Sequence, residues 1–320
     1  MRRSYFVAYR VHREGVTVVV VGGVVPGLIV GLREGVEGAL IIGIILAYLT
    51  KIGQRPLHRY VFLGTGAAFA GSVVIAGFLA LLHVEFGGVG EKLFEGFAAI
   101  LAVVVLTSMV LWMLKAAKDI RRLVERRISL LVDRRQMMGL ASLAFIAVFR
   151  EGVETVLFMA GLTATIGPDV VVGAGVGLVI AAFLGYGLFA ASWKINLRRF
   201  FQGTGLLLII IAAGLFSLGL HELQEAGVLP WLSAEVYNLQ GSFRDDETNP
   251  AGYILRGLVG YNDNPSQLEV VGYAAYWILA GAMYWGIRTG KIEFFTRPLH
   301  RVWAMIRRTP KPSGADLHSE

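Results

Sequence analysis

Long apolar runs separated by short charged blocks dominate this chain, and their lengths set its architecture. Seven runs, at about residues 24–49, 57–82, 93–115, 138–162, 170–193, 204–223 and 268–287, are long enough to cross a bilayer. A helix of about 20 apolar residues spans the roughly 30 Å hydrocarbon core. None of the runs shows the strict two-residue alternation of a barrel strand. That leaves the helix, because only helices and closed barrels satisfy every backbone polar group inside lipid. The pattern predicts an all-α, polytopic membrane protein with seven transmembrane helices.

The connections differ in charge. Lys51, Arg55 and Arg59 separate the first two runs, a basic block from Lys115 to Arg135 separates the third from the fourth, and Lys194, Arg198 and Arg199 follow the fifth. The tail after the seventh run is basic again, from Arg288 to Lys311, whereas the alternate connections are poor in Lys and Arg and carry Glu85, Glu91 and Lys92, or Glu235, Asp245, Asp246, Glu247 and Asp263. Positive charge marks the cytoplasmic side, which places the C-terminus inside and the N-terminus outside a plasma membrane crossed many times. Arg2, Arg3, Arg10 and Arg13 run against this. Residues 1–23, with a short apolar stretch at 16–21, read as a leader or tail apart from the fold. The expected organisation is a seven-helix domain over 24–290 and a basic cytoplasmic tail over 291–320. Within the domain lie a first repeat (about 24–117), a second (about 138–225), an external connection (about 225–267) and a last helix (about 268–288).

The repeat rests on one string. Arg33-Glu34-Gly35-Val36-Glu37 in the first run recurs as Arg150-Glu151-Gly152-Val153-Glu154 in the fourth. Three spans separate the copies, so the second half enters the membrane from the opposite side. A 3+3 inverted repeat of this kind, here followed by one further helix, puts a transport site near the midplane between the halves. At about 100° per residue, with Arg33 at zero, Glu34 lies near 100° and Glu37 near 40° on the helical wheel. Each motif therefore projects two carboxylates and one guanidinium from one face. An ionisable group at bilayer centre costs about 2.5–3.5 kcal/mol, so six left unpaired would cost roughly 15–20 kcal/mol. They must meet one another, a polar cavity or a bound ion. An i,i+4 Arg–Glu pair explains one glutamate per arginine and leaves the second over. Two Arg against four Glu gives a net charge of −2 if all are ionised, which suits a cation site.

Composition narrows the cargo. Only 17% of residues are charged, and mean hydropathy is +0.62. The net charge of +7 is loop charge beside apolar runs and does not point to nucleic acid. Cysteine is absent, so any metal must be held by oxygen or imidazole, which suits iron, manganese or magnesium. Met109, Met113 and Met159 read as packing residues. Glu95 lies near the outer end of the third run, one turn from Glu91, and His221-Glu222-Leu223-Gln224-Glu225 closes the sixth. His221 and Glu222 read as a vestibule or ligand pair. For Glu91, Glu95 and Glu225 an ordinary solvated helix end is an equal alternative.

The doubled motif resembles the REGLE repeat of the high-affinity iron permease family. Leu93–Gly96, His221-Glu222-Leu223 and Gly260-Tyr261-Asn262-Asp263-Asn264-Pro265-Ser266 are also similar to that family, over about residues 24–290. The resemblance implies a seven-helix permease that imports iron as its substrate, holds no permanent cofactor and catalyses no reaction. It maps the family's essential glutamates onto Glu34, Glu37, Glu151 and Glu154, with Arg33 and Arg150 beside them. It also implies an extracytoplasmic redox or iron-delivery partner. Val36 and Val153 replace the usual leucine, away from the charged face. The rival readings are a transporter for another divalent cation such as manganese, and a membrane redox subunit.

Overall fold

The computed structural model describes residues 21–85, 88–116, 120–133, 136–189, 196–246 and 248–289. Residues 1–20, most of the segment expected to be a leader or tail, residues 290–320, and the loop bases Lys118, Arg134, Arg135 and Lys194 lie outside the described residues. The chain divides into two compact units, Met1–Trp277 and Ile278–Glu320. The contacts described below fall in the first. Among the described residues of the second, Ile278 to Arg288 form the last turns of α9.

Among the described residues the secondary structure is helical, with one isolated antiparallel bridge between Glu235 and Ser266. The helices are α1 (Val21–Lys51), α2 (His58–Glu85), α3 (Val89–Ala116), α4 (Ile120–Asp133), α5 (Met137–Ile166), α6 (Asp169–Phe189), α7 (Leu197–Glu225), α8 (Pro250–Val259) and α9 (Gln267–Arg288). Each of the seven apolar runs falls on a long helix. By length and apolar composition, five of these are able to cross a membrane: α2, α3, α6, α7 and α9. The other two, α1 and α5, run to 31 and 30 residues and are the helices that carry the charged motifs.

The long helices pack in a definite order. α1 lies along α6, α2 along α5 and α3 along α7, while α1 and α5 cross each other. Small residues make the first of these contacts close. A methyl group added at Gly27 or Gly31 of α1 would collide with the carbonyl oxygen of Val170 or Ala174 on α6. Without a hydrophobic drive between helices in lipid, such close approach supplies the dispersion that holds them. Gly31→Val is expected to destabilise the protein by about 2–3 kcal/mol through overpacking. Gly175→Val, which points into open space, serves as the harmless control in thermal unfolding.

Two shorter helices fall in connections where the apolar pattern gave no span. In α4, Val124, Ile128, Leu131 and Val132 recur at helical spacing and face a cluster of Ile45, Leu49, Leu57, Val61, Leu140 and Ala144 at the basic ends of α1, α2 and α5. Arg126 and Arg127 stay exposed on the other side, as expected of an amphipathic helix. α8 occupies the long acidic connection. It starts at Pro250, which needs no helical N–H partner, and ends at Gly260, whose positive φ of 71° closes the cap. It packs on α1 and α7, and Gly260 meets Gly214 of α7 backbone to backbone. The Tyr253 hydroxyl donates to the Ile166 carbonyl at 3.0 Å, and Arg256 donates to the Thr165 carbonyl at 3.1 Å. These are carbonyls of the last turn of α5, which have no partner within their own helix. Tyr253 is therefore a buried cap for α5.

Candidate functional site

Both motifs sit near the middle of their helices, so six charged groups meet at mid-span of α1 and α5. Arg33 is 1% exposed. One guanidinium nitrogen, Nη1, donates to Glu34 Oε1 at 2.9 Å and to the Met109 sulfur at 3.3 Å. The other, Nη2, donates to the Met113 sulfur at 3.0 Å and lies 3.1 Å from Glu37 Oε1, out of line for a hydrogen bond. The i,i+4 spacing of Met109 and Met113 on α3 sets both thioethers against one arginine. Sequence reading treated these methionines as packing. Their spacing was visible, but which helix they face was not.

The second motif is arranged differently. Arg150 is 43% exposed along its side chain; its Nε donates to Glu154 Oε1 at 2.8 Å and stands 4.0 Å from Glu151 Oε1. One oxygen each from Glu34, Glu151 and Glu154 lie within 4.8 Å of one another. Adjacent oxygens around a small dication bound at about 2.1 Å stand roughly 3 Å apart, so the three need to close by a modest carboxylate rotation to share an ion. The Oε2 atoms of Glu34, Glu151 and Glu154 are all buried with no hydrogen-bond partner. A buried carboxylate oxygen left unpaired costs about 1–3 kcal/mol or more. Glu37 Oε1 is a fourth such atom, and a hard cation would relieve carboxylates gathered in this way. Glu37 is buried too but stands outside this trio, turned to Arg33.

The other sequence candidates gather where α3 begins and α7 ends. Lys92 Nζ is 2.7 Å from Glu222 Oε2, 3.0 Å from Glu225 Oε2 and 3.9 Å from Glu95 Oε2. Glu91 is half-buried in the first turn of α3. His221 bridges two carboxylates, with Nε2 3.2 Å from Glu225 and Nδ1 2.9 Å from Glu269. Glu269, in the first turn of α9, is 1% exposed and also accepts from Asn262 Nδ2 at 2.8 Å and the Ser266 amide at 3.0 Å. Sequence reasoning missed both Lys92 and Glu269. Each sits at the polar edge of an apolar run, where a charged residue ordinarily meets water.

The acidic connection ties into this cluster. Val236 N donates to the Pro265 carbonyl and Leu239 N to the Asp263 carbonyl, so two extended segments run antiparallel beside His221 and Glu269. Asp245 pairs with Arg256 at 2.9 Å. Burial raises the Asp245 carboxyl above its ordinary range, and the Arg256 charge opposes that rise only in part. Two cavities lie elsewhere. One of about 220 Å³ is lined by Tyr48, Glu125, Arg126 and Ser129, and an apolar one of about 450 Å³ includes Leu79, Phe94 and Leu157. The motif carboxylates line neither.

Several bilayer-length apolar helices, with a cluster of buried carboxylates among the long helices, mark a multi-pass membrane protein. The chain belongs to the iron permease FTR1 family, whose sequence profile matches residues 24–291. A protein of uncharacterised function from Archaeoglobus fulgidus is 38% identical over 261 residues, 78% of this chain and 91% of its own length. The ferrous iron permease EfeU of Escherichia coli is 32% identical over 259 residues, covering 80% of this chain and 93% of the relative. EfeU of Yersinia pestis is 33% identical over 259 residues, with 80% and 91% covered. No solved structure matches the chain.

Proposed function

We propose that this protein carries ferrous iron across the membrane through the carboxylates of the doubled motif. The observation that carries this reading is the approach of Glu34, Glu151 and Glu154, with one carboxylate oxygen of each within 4.8 Å of the others, at residues that each also bury a carboxylate oxygen without a hydrogen-bond partner. Oxygen ligands alone suit iron and manganese about equally. Family membership favours iron, and the relatives named ferrous iron permeases favour the reduced ion.

In this reading all seven long helices span the membrane, with α1–α3 and α5–α7 as inverted repeats and α9 added. The packing order supports it. If α1 corresponds to α5, α2 to α6 and α3 to α7, then α1 on α6 and α2 on α5 are equivalent contacts, and α1–α5 and α3–α7 each pair with themselves. The basic ends of α1, α2 and α5 face the cytoplasm, and the end bearing His221 faces outward. Glu95, His221, Glu222 and Glu225 form the outer vestibule, where an arriving cation competes with Lys92 for Glu222 and Glu225. Arg33 and Arg150 hold the motif glutamates and limit their charge when no metal is present. The connection at 226–266 is the docking surface for an extracytoplasmic redox or iron-delivery partner. The transported ion is the substrate, and no resident cofactor is required.

The test is uptake of radioactive iron into proteoliposomes, offered as ferrous and as ferric ion with manganese and zinc as competitors. Ferrous uptake that manganese does not suppress, and that the double variant Glu34→Gln, Glu154→Gln loses, is the expected result. Uptake unchanged in that variant would leave the motifs a structural role only, and suppression by manganese would reassign the cargo.

A further inference from the structure

We propose that the four motif glutamates form two overlapping metal sites, one of Glu34, Glu151 and Glu154 as arranged in this structure, and a second of Glu34, Glu37 and Glu151. This rests on the iron-transport reading above. The second site belongs to a conformation in which the two motifs exchange roles.

The inference comes from an asymmetry between identical sequences. Arg33 is buried, contacts both of its own glutamates and is seated on Met109 and Met113 of α3. Arg150, at the same place in the same string, is far more exposed and holds chiefly Glu154. Glu154 joins the trio although Arg150 also holds it, whereas its counterpart Glu37, beside Arg33, does not. Two copies of Arg-Glu-Gly-Val-Glu have the same intrinsic chemistry, so the difference must lie in what packs against them.

The packing identifies it. α3 lies broadly along α5 and reaches across to Arg33, while its counterpart α7 touches α1 at few places. Exchanging the halves leaves the α1–α6 and α2–α5 contacts as images of each other and maps α1–α5 and α3–α7 onto themselves. It alters chiefly α3–α5 against α1–α7. A shift of the α3–α7 pair from α5 toward α1 therefore produces the exchanged conformation. That shift lifts Met109 and Met113 off Arg33 and lets Glu37 turn to Glu34 and Glu151, while Glu154 stays with Arg150 and leaves the trio. Inverted-repeat transporters alternate access by moving one repeat or bundle against the other around the site, and a shift of the α3–α7 pair is a motion of that kind. Glu34 and Glu151 serve in both sites, so the ion changes a single carboxylate in crossing.

Binding and transport measured separately test this. Ferrous ion is titrated anaerobically against the detergent-purified full chain by equilibrium dialysis, and iron uptake is followed in proteoliposomes. Glu154→Gln is expected to weaken binding by about tenfold or more and Glu37→Gln by clearly less, while both variants transport at background. An unchanged unfolding temperature shows that both variants are folded, with partial recovery of binding in Glu154→Asp. Equal loss of binding in the two variants, or normal transport by Glu37→Gln, would overturn the two-site inference while leaving iron transport intact. A wild type that neither binds nor carries iron would remove both.

Discussion

Glu151→Gln is expected to bring iron uptake to background while leaving the protein at least as stable as wild type. The side chain is buried, and its Oε2 has no hydrogen-bond partner. Counting two arginines against four glutamates, the site carries a net charge of −2 when all six groups are ionised and no metal is bound. Replacing one carboxylate by an amide of the same shape lowers that to −1 and removes a self-repulsion that the folded state otherwise bears. Coulomb repulsion at these separations is worth about 4 kcal/mol even at an effective dielectric constant of 20, so the relief outweighs the imperfect pairing of one amide. The same change removes one of three converging ligands and one of the charges that attract a dication. Uptake in proteoliposomes and thermal unfolding of the same preparation are the paired measurements. A variant that loses uptake and unfolds earlier would point to Glu151 as a structural group; one that keeps uptake would remove it from the path. Stability rising as function falls is the usual mark of a site strained for its task.

The second large effect concerns Arg33. Arg33→Leu should cost about 3–5 kcal/mol, because breaking a buried charge pair leaves the other charges uncompensated. The cost is multiplied here, since Arg33 contacts Glu34, Glu37, Met109 and Met113 together. Measured against a typical stability of about 5–15 kcal/mol, most of the folded protein is put at risk. Loss of the monodisperse fraction after detergent extraction is the expected readout, and adding Glu37→Gln should restore much of it by returning the site to its original net charge. Lysine is a poor substitute, because a point charge cannot reach two carboxylates and two sulfurs in the plane of a guanidinium. Arg150→Leu should be milder, since that side chain is 43% exposed and holds Glu154 more than Glu151. Equal stability losses at the two arginines would contradict the asymmetry between the motifs.

Much of this protein was legible along the chain. Each of the seven apolar runs coincides with a long helix, and family membership follows the doubled motif that pointed to it. The reason is physical: in lipid the backbone must satisfy itself, so span length and apolar content fix the elements locally. The three charges of each motif were equally legible as a group that must face inward, since the cost of burying them is set by residue type. α4 and α8 were less so. Their apolar faces are short, and only the grooves they fill, the Ile45–Leu140 cluster for one and the end of α5 for the other, make them helices worth forming.

What the tertiary structure alone decided is who meets whom. No periodicity in α3 says that Met109 and Met113 seat Arg33, and none in α9 says that Glu269 grips His221. Lys92 reads as loop charge until α3 lies along α7 and brings its ammonium to Glu222 and Glu225. The two motifs are the clearest case. Their sequences are identical, so the sequence determined a shared chemistry of two carboxylates and one guanidinium. The two motifs differ in contacts between residues distant in sequence, such as Met109 and Met113 on Arg33, which no local pattern encodes.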